Sequence, residues 1–428
     1  MSILLTNGMI LTAGTFRKSD LLVRDGKVFV FGTDSGAVPA DVTRTVDCSG
    51  KYISPGFADV HVHFREPGFS YKETIRTGSL AAAHGGYTAV CTMPNLKPAP
   101  STLANLKVQL DIIEKDACIR VIPYGTITEN QDGRSRLSDM EALAPYVCAF
   151  TDDGKGVQTR DLMEEAMKKA HELGKIIVAH CEDESLLGGT AIHDGEYAHR
   201  IGHLGITSES EWRQVERDVE LAAKTGCAYH VCHVSTKESV DIIRQAKASG
   251  VDVTCETGPH YLVLCDQDLQ PHGRFKMNPP LRSSADRDAL LEGLLDGTVD
   301  MIATDHAPHS EEEKSRGLLD SAFGITGLEA SFPVLYERLV LDQKLMSLET
   351  LLDRMALAPR RRFDLPGGLI ADGEPADLTV IDPNRVFTIN PEHFLSMGHA
   401  TPFEGWKVQG GIDMTLSDGN IVWEYTED

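Results

Sequence analysis

The sequence predicts an α/β protein: a (β/α)₈ (TIM) barrel carrying a small, discontinuous β-sandwich domain built from both chain ends. Three observations lead there. Eight short apolar β-forming runs recur through the middle of the chain, at 57–64, 87–93, 119–126, 147–151, 176–180, 228–234, 251–257 and 301–305. Most are separated by stretches of helical periodicity, and alternation of this kind is the mark of parallel βα units. The two ends read differently, as short strands with tight turns, at 1–55 and again at 365–428. The expected organisation is therefore 1–55 and 365–428 as the two parts of a β domain, with the barrel at 56–364. Two separate caps would leave the same trace in the sequence.

Within the first part, Ile3-Leu4-Leu5-Thr6-Asn7-Gly8, the run 20–26 and the run 27–32 each join β-formers to Asn-Gly, Asp-Gly or Gly punctuation. In the middle, 159–173 places Leu162, Met163, Ala166, Met167, Ala170 and Leu173 at helical spacing and stops at Gly174. Ser208-Glu209-Ser210-Glu211 and Ser235-Thr236-Lys237-Glu238 both read as Ser-x-x-Glu capping boxes opening amphipathic helices. Near the far end, 375–382 and 416–423 return to strand-and-turn patterns.

Composition narrows the function classes. At 428 residues the chain exceeds a single barrel of ~250 residues, which leaves room for a second, smaller unit. A formal net charge of −23 argues against nucleic acid and anionic membrane as partners, since both demand a basic face. The cysteines are nine, scattered and without a Cys-x-x-Cys pair, so they read as reduced core residues rather than disulfides or a zinc knuckle. The N-terminal apolar run is too short for a signal peptide, and no stretch approaches ~20 uncharged apolar residues. The expectation is a cytoplasmic protein.

Chemistry gathers at the ends of the predicted strands, where barrels of this type carry their active sites. The first delivers His61 and His63, which share one face of a strand, and Arg65 continues the alternation. The fourth ends in Thr151-Asp152-Asp153-Gly154, the fifth in His180, the sixth in His233 and the eighth in Asp305-His306-Ala307-Pro308-His309. Any one of these would pass as a satisfied structural group. Gathering so many ionisable groups on one rim is costly unless they bind a cation. Four histidines and two carboxylates exceed the three protein ligands of a single catalytic zinc, and suit two metals ~3.5–4 Å apart. The reaction class implied is hydrolysis, or its reverse, at an amide-like carbon.

With these motifs in place, the sequence resembles the amidohydrolase superfamily and, within it, the class I bacterial dihydroorotases. The resemblance covers nearly the whole chain. It rests on Asp59-Val60-His61-Val62-His63-Phe64-Arg65, Thr92-Met93-Pro94-Asn95, Phe150-Thr151-Asp152-Asp153-Gly154, Ala179-His180-Cys181-Glu182, His233-Val234-Ser235-Thr236, Lys276-Met277-Asn278-Pro279-Pro280-Leu281-Arg282 and Ala303-Thr304-Asp305-His306-Ala307-Pro308-His309. It implies reversible cyclisation of N-carbamoyl-L-aspartate to L-dihydroorotate in pyrimidine biosynthesis. It also implies zinc, two ions per chain, with His61, His63 and Asp305 on one and His180 and His233 on the other. Asp153 and a hydroxide would bridge them, in place of the carboxylated lysine of many relatives. The short bridge leaves the second site weaker, and Lys155 is not assigned the bridging role. Asp305 would be the general acid and base.

For the substrate, Arg65 offers a planar fork matched to a carboxylate. The resemblance adds Asn95 and His309 to that carboxylate, and Asn278 with the backbone at Phe323-Gly324 to the ring amide groups. His63 would also contact the substrate. The charged stretch 310–322 reads either as a solvated loop or as a lid, and His230 and His260 as structural or supporting residues. A homodimer and an association with aspartate transcarbamoylase complete what the resemblance implies. Two other readings are a hydantoinase, dihydropyrimidinase or allantoinase on the same scaffold, and an inactive assembly subunit. Arg65 and the aspartate bridge argue against the first, and the filled ligand positions argue against the second.

Overall fold

The structure, a computed structural model, describes residues 2–32 and 39–426. Its centre is parallel β-structure. Phe57–Val62, Tyr87–Thr92 and Arg120–Pro123 pair in that order, and Ile177–Ala179, Tyr229–Val231, Val253–Thr257 and Met301–Ile302 form a second parallel set. Single parallel bridges join Gly125 to Phe150, Phe150 to Ile177, and Val62 to His306. The first two strands are buried at every position, as strands covered on both faces must be.

The run at 147–151 is too short in the structure to make a strand. Phe150 forms the bridge to the fifth run: its N–H donates to the Ile176 carbonyl and its own carbonyl accepts from Val178, at 3.1 and 2.9 Å. Cys148 and Thr151 donate to the Pro123 and Gly125 carbonyls, and the Ala149 carbonyl accepts from Gly125. The chain then turns away at Asp152, whose carboxylate accepts from the amides of Ile127, Thr128 and Gly133.

Inside the parallel strands lies a layer of small and medium side chains. It runs from Ala58, Val60, Ala89 and Cys91 through Val178 and Cys232 to Met301 and Ala303, closed at one end by Phe363 and Leu365. A register shift between Asp59 and Val62 interrupts strict alternation in the first strand. Val60 therefore faces this inner layer, His61 and His63 face the site above it, and Val62 faces the outer layer.

Helices cover the outside. Arg160–Glu172 opens on Thr159 as expected and buries Met163, Ala166, Met167 and Ala170. Neither expected capping box forms. Glu209–Thr225 begins without a side-chain cap at Ser208, and Lys237–Ala248 is capped by Thr236 rather than Ser235. The reason is Glu211. Its buried carboxylate accepts from the amides of Ser235 and Thr236 and from the hydroxyls of Ser235, Thr236 and Ser239, so it ties two helix starts together.

The chain ends share one sheet. Asn420–Glu424, Lys407–Ser417, Leu378–Thr388, Tyr52–Pro55, Met9–Thr12 and Thr15–Lys18 are adjacent in that order. A four-stranded sheet of Lys27–Phe31, Asp20–Arg24, Ser2–Thr6 and Arg44–Asp47 packs on it through Ile3, Leu5, Ile10, Leu21, Leu378, Val380, Met414 and Leu416. The pattern at 416–423 is a hairpin, turning at Asp418-Gly419 where both residues have positive φ. No helix among the described residues is long and apolar enough to cross a membrane.

Candidate active site

His61 is fully buried at the base of the site. Its Nδ1 lies 2.7 Å from Glu256 Oε1, and Glu256 Oε2 lies 3.1 Å from His230 Nε2. An ionised carboxylate only accepts, so His61 donates through Nδ1 and presents Nε2 to the site. Burial pulls the Glu256 carboxyl up, but His61 and His230 outweigh it and bring it down to about 2. His230 thus supports His61 through a shared carboxylate, which fits the supporting role read from the sequence.

Two groups of donors face each other. His63 Nε2 and His61 Nε2 lie 3.1 and 3.4 Å from Asp305 Oδ1. Opposite them, His180 Nδ1 and His233 Nε2 lie 3.7 and 3.6 Å from Asp153 Oδ1. The same Asp153 oxygen is 3.4 Å from His61 Nε2, and Asp153 Oδ2 is 3.5 Å from His63 Nε2. Asp153 therefore stands between the groups. Burial opposes ionisation of Asp153 and Asp305, yet the surrounding imidazoles hold both carboxyls well below the usual range.

Within each group, His61–His63–Asp305 and Asp153–His180–His233, the ligand atoms lie within 4.8 Å of one another. His61 Nε2, His180 Nε2 and Asp153 Oδ1 are buried without a hydrogen-bond partner among the described residues. His180 Nδ1 and His233 Nε2 approach to 2.9 Å, a distance at which two lone pairs repel unless a cation or proton lies between them. Orphaned buried donors of these types are the residue set for divalent cations. Cys232 also borders His61 and Asp153. Burial pushes its thiol up, so it sits there as a neutral neighbour.

The neighbouring Asp152 is otherwise engaged. Besides the three amides it holds the Thr128 hydroxyl, and burial raises it to about 6. Lys155 is exposed. Of the carboxylates after the fourth run, only Asp153 reaches the donors.

A cavity of 190 Å³ opens beside the cluster, lined by His63, Arg65, Asn95, Asp153, Gly154, His180, His233, Asn278, Asp305, Ala307, Phe323 and Gly324. Every expected site residue lines it except His61, buried beneath, and His309, which stands behind Arg65. Arg65 Nε donates to the Pro308 carbonyl at 3.3 Å, and Nη2 lies 3.3 Å from His309 Nε2. Asn95 Nδ2 donates to the Asp153 carbonyl at 2.6 Å, and Asn278 Nδ2 to Glu182 Oε2 at 2.9 Å. Each amide leaves a buried Oδ1 without a hydrogen-bond partner among the described residues. Gly324 has φ +131°, and a Cβ there would meet the Ala307 carbonyl at 2.6 Å, so glycine is required. Its N–H is already donated to the Lys276 carbonyl at 3.0 Å.

The stretch 310–322 is not a bare loop. Ser310 caps Glu311–Lys314, a second short helix covers Gly317–Asp320, and the buried Lys314 ammonium donates to the carbonyls of Lys276, Ala322 and Gly324. His260 is buried, and burial lowers it to about 4.

Sequence reasoning missed Glu256, Lys72 and Lys314. Glu256 had one available signal, an acid inside an otherwise buried β-run.

Comparison with known proteins adds sequence kinship to this geometry. The family model described as dihydro-orotase-like matches residues 50–239. A dihydroorotase of Fusobacterium nucleatum is 49% identical over 421 residues, covering 98% of each chain, and one of a Geobacillus species is 48% identical over 99% of each. Among solved structures, an L-hydantoinase (dihydropyrimidinase) from Arthrobacter aurescens superposes with a TM-score of 0.88 at 25% identity, covering 99% of this chain and 96% of that one. A dihydropyrimidinase from Brevibacillus agri gives 0.84, also at 25% identity, over 98% and 95%.

Proposed function

The chain belongs to the dihydroorotase family, and from that membership we propose how its residues interconvert N-carbamoyl-L-aspartate and L-dihydroorotate in pyrimidine biosynthesis. The observation that carries the reading is the arginine beside the donor cluster. Arg65 faces the cavity with Asn95, and His309 stands behind it, so a cationic fork meets the carboxylate that distinguishes dihydroorotate from hydantoins and dihydropyrimidines. The strong backbone likeness to hydantoinases favours that activity as the second reading, but at 25% identity it speaks for the scaffold rather than the substrate.

The residues that would hold metal are His61, His63 and Asp305 on one side and His180 and His233 on the other, with Asp153 between. We take the metal as zinc, two ions per chain, on the nitrogen-rich donor set. Bound there, such ions supply Lewis acidity and lower the pKa of water.

The chain's own groups do the rest. Arg65, Asn95 and His309 hold the carboxylate, while Asn278 and the Phe323-Gly324 backbone orient the ring amides, placing the carbonyl carbon over the cluster. In the hydrolytic direction Asp305 takes the proton of the attacking water, and the carbon–nitrogen bond breaks. The same carboxyl then returns that proton to the departing ring nitrogen. Cyclisation runs the path backwards, with Asp305 accepting the ureido proton. His61, His63 and His233 keep it ionised, so that it enters the reaction as a carboxylate.

The architecture proposed beneath this site is a (β/α)₈ barrel at 56–364, with 1–55 and 365–428 forming one β domain. The three parallel bridges that link the two parallel sheets support it, as does the sheet shared by both chain ends. The test is to assay the metal-loaded protein on dihydroorotate and hydantoin in parallel, with bound metal counted per chain. Turnover of dihydroorotate with about two ions is the expected result. Turnover of hydantoin alone would overturn the reading.

A further inference from the structure

Beyond the residues assigned so far, we propose that Lys72 is a positioning residue of the carboxylate pocket. Its ammonium holds His309 in the neutral tautomer that carries its proton on Nε2, beside Arg65. The proposal rests on the dihydroorotase reading above and names a group that the reading does not use.

The shortest contact at each ring nitrogen of His309 favours one arrangement of protons. Lys72 Nζ lies 3.2 Å from His309 Nδ1. An ammonium has no lone pair, so at that distance Nδ1 must accept. The ring's single proton is then on Nε2, which lies 2.7 Å from the Phe323 carbonyl, a distance only a donor tolerates. Arg65 Nη2, also a donor, lies 3.3 Å from the same Nε2, but the carbonyl at 2.7 Å is the closer partner and sets Nε2 as the donor. Burial, Arg65, Lys72 and Lys314 push the imidazole down to about 3, so it remains neutral.

Lys72 is itself held. Glu313 Oε1 lies 2.8 Å from its ammonium, and Glu313 is fixed by the Ser310 cap. Glu313 Oε2 also lies 3.4 Å from Nδ1. The ammonium at 3.2 Å is closer and takes the lone pair. Tyr71 and Phe69 present their rings 5.5 and 5.8 Å from Nζ.

The consequence is chemical. Arg65 Nη2 lies 3.3 Å from His309 Nε2, so the two groups flank one position. A carboxylate oxygen there receives guanidinium N–H bonds and shares the Nε2–H with the Phe323 carbonyl. The opposite tautomer would point a lone pair at that oxygen. Lys72 thus sets the polarity of the pocket without touching the substrate.

The test uses the metal-loaded full chain with Lys72→Met and Lys72→Arg, reading steady-state kinetics, bound metal and the ¹⁵N tautomer signature of His309, assigned with His309→Gln. For Lys72→Met we expect the KM for dihydroorotate to rise about tenfold, the worth of one charge-assisted hydrogen bond. The kcat should change less than about threefold, metal content should stay the same, and the His309 signature should move off Nε2–H. Lys72→Arg, which keeps a donor at Nδ1, should recover most of both changes. An unchanged His309 signature in Lys72→Met overturns the proposal whatever the kinetics, and so does an unchanged KM. Should the Met variant not fold, an Arg variant whose His309 leaves the Nε2–H form decides against it. Wild-type protein that turns over hydantoin but not dihydroorotate would defeat the functional reading instead, while the tautomer measurement would still judge Lys72.

Discussion

A single carboxylate decides which nitrogen His61 presents. Glu256 accepts from His61 and approaches His230, so three buried titratable groups act as one support beneath the donor cluster. Asp305 plays a different part, facing the cavity with its charge favoured by three imidazoles. The two carboxylates should separate cleanly on substitution. Glu256→Gln is expected to weaken metal affinity by about tenfold while retaining turnover at saturating metal. Asp305→Asn should retain substantial metal and lose at least about a hundredfold in kcat, the scale of a lost general acid and base. Metal titration against kcat distinguishes them, and an Asp305→Asn enzyme with undiminished turnover would remove that residue from proton transfer. His61, His63, His180, His233 and Asp305 were legible in the sequence because each ends an apolar run. Glu256 was not, because its partner lies 195 positions away in the chain.

At the level of elements, Glu211 shows how a local pattern is overridden. Ser208-x-x-Glu211 has the spacing of a capping box, and in isolation that is where the carboxylate would go. In the folded chain the same carboxylate satisfies two amides and three hydroxyls at the start of the next helix. Five buried donors outweigh one exposed helix end. We therefore expect Glu211→Ala to cost about 2–4 kcal/mol of stability, and Ser208→Ala to stay within about 0.5 kcal/mol. Denaturant unfolding of the metal-loaded protein measures both. Equal effects would restore the local box. The helix at 160–172 went as the sequence said, because Thr159 and the apolar spacing met no long-range competitor.

For the molecule as a whole, side chains join the two chain ends to the parallel strands. Arg120 reaches Asp377 at 3.2 Å and also pairs with Asp418, so the third parallel strand is pinned to the C-terminal strands. Arg360, which is buried, donates to the Gly56 carbonyl and the Thr88 hydroxyl beneath the inner layer. Above that layer stands the opposite situation, where buried atoms of His61, His63, His180 and Asp153 have no hydrogen-bond partner among the described residues. Removing bound metal should therefore loosen the whole fold. Chelation is expected to lower the melting temperature by several degrees, with recovery on adding zinc, because a ligand that binds only the folded state stabilises it by mass action. A chelated protein that melts with the untreated one would mean that the cluster is held by its own hydrogen bonds.

The sequence by itself determined the parallel centre, the β-rich ends and the identities of the donors, since these follow from periodicity and from the residues that end each run. The resemblance pointed to Asp153 rather than Asp152, and the tertiary structure supplies the physical reason, spending Asp152 on the amides of Ile127, Thr128 and Gly133. Tertiary structure alone turned 147–151 from a strand into the single bridging residue Phe150, and the charged stretch after His309 into short helices docked by Lys314. In each case the deciding term is satisfaction of buried polar groups. Their partners come from elements distant in sequence, and no local pattern records that pairing.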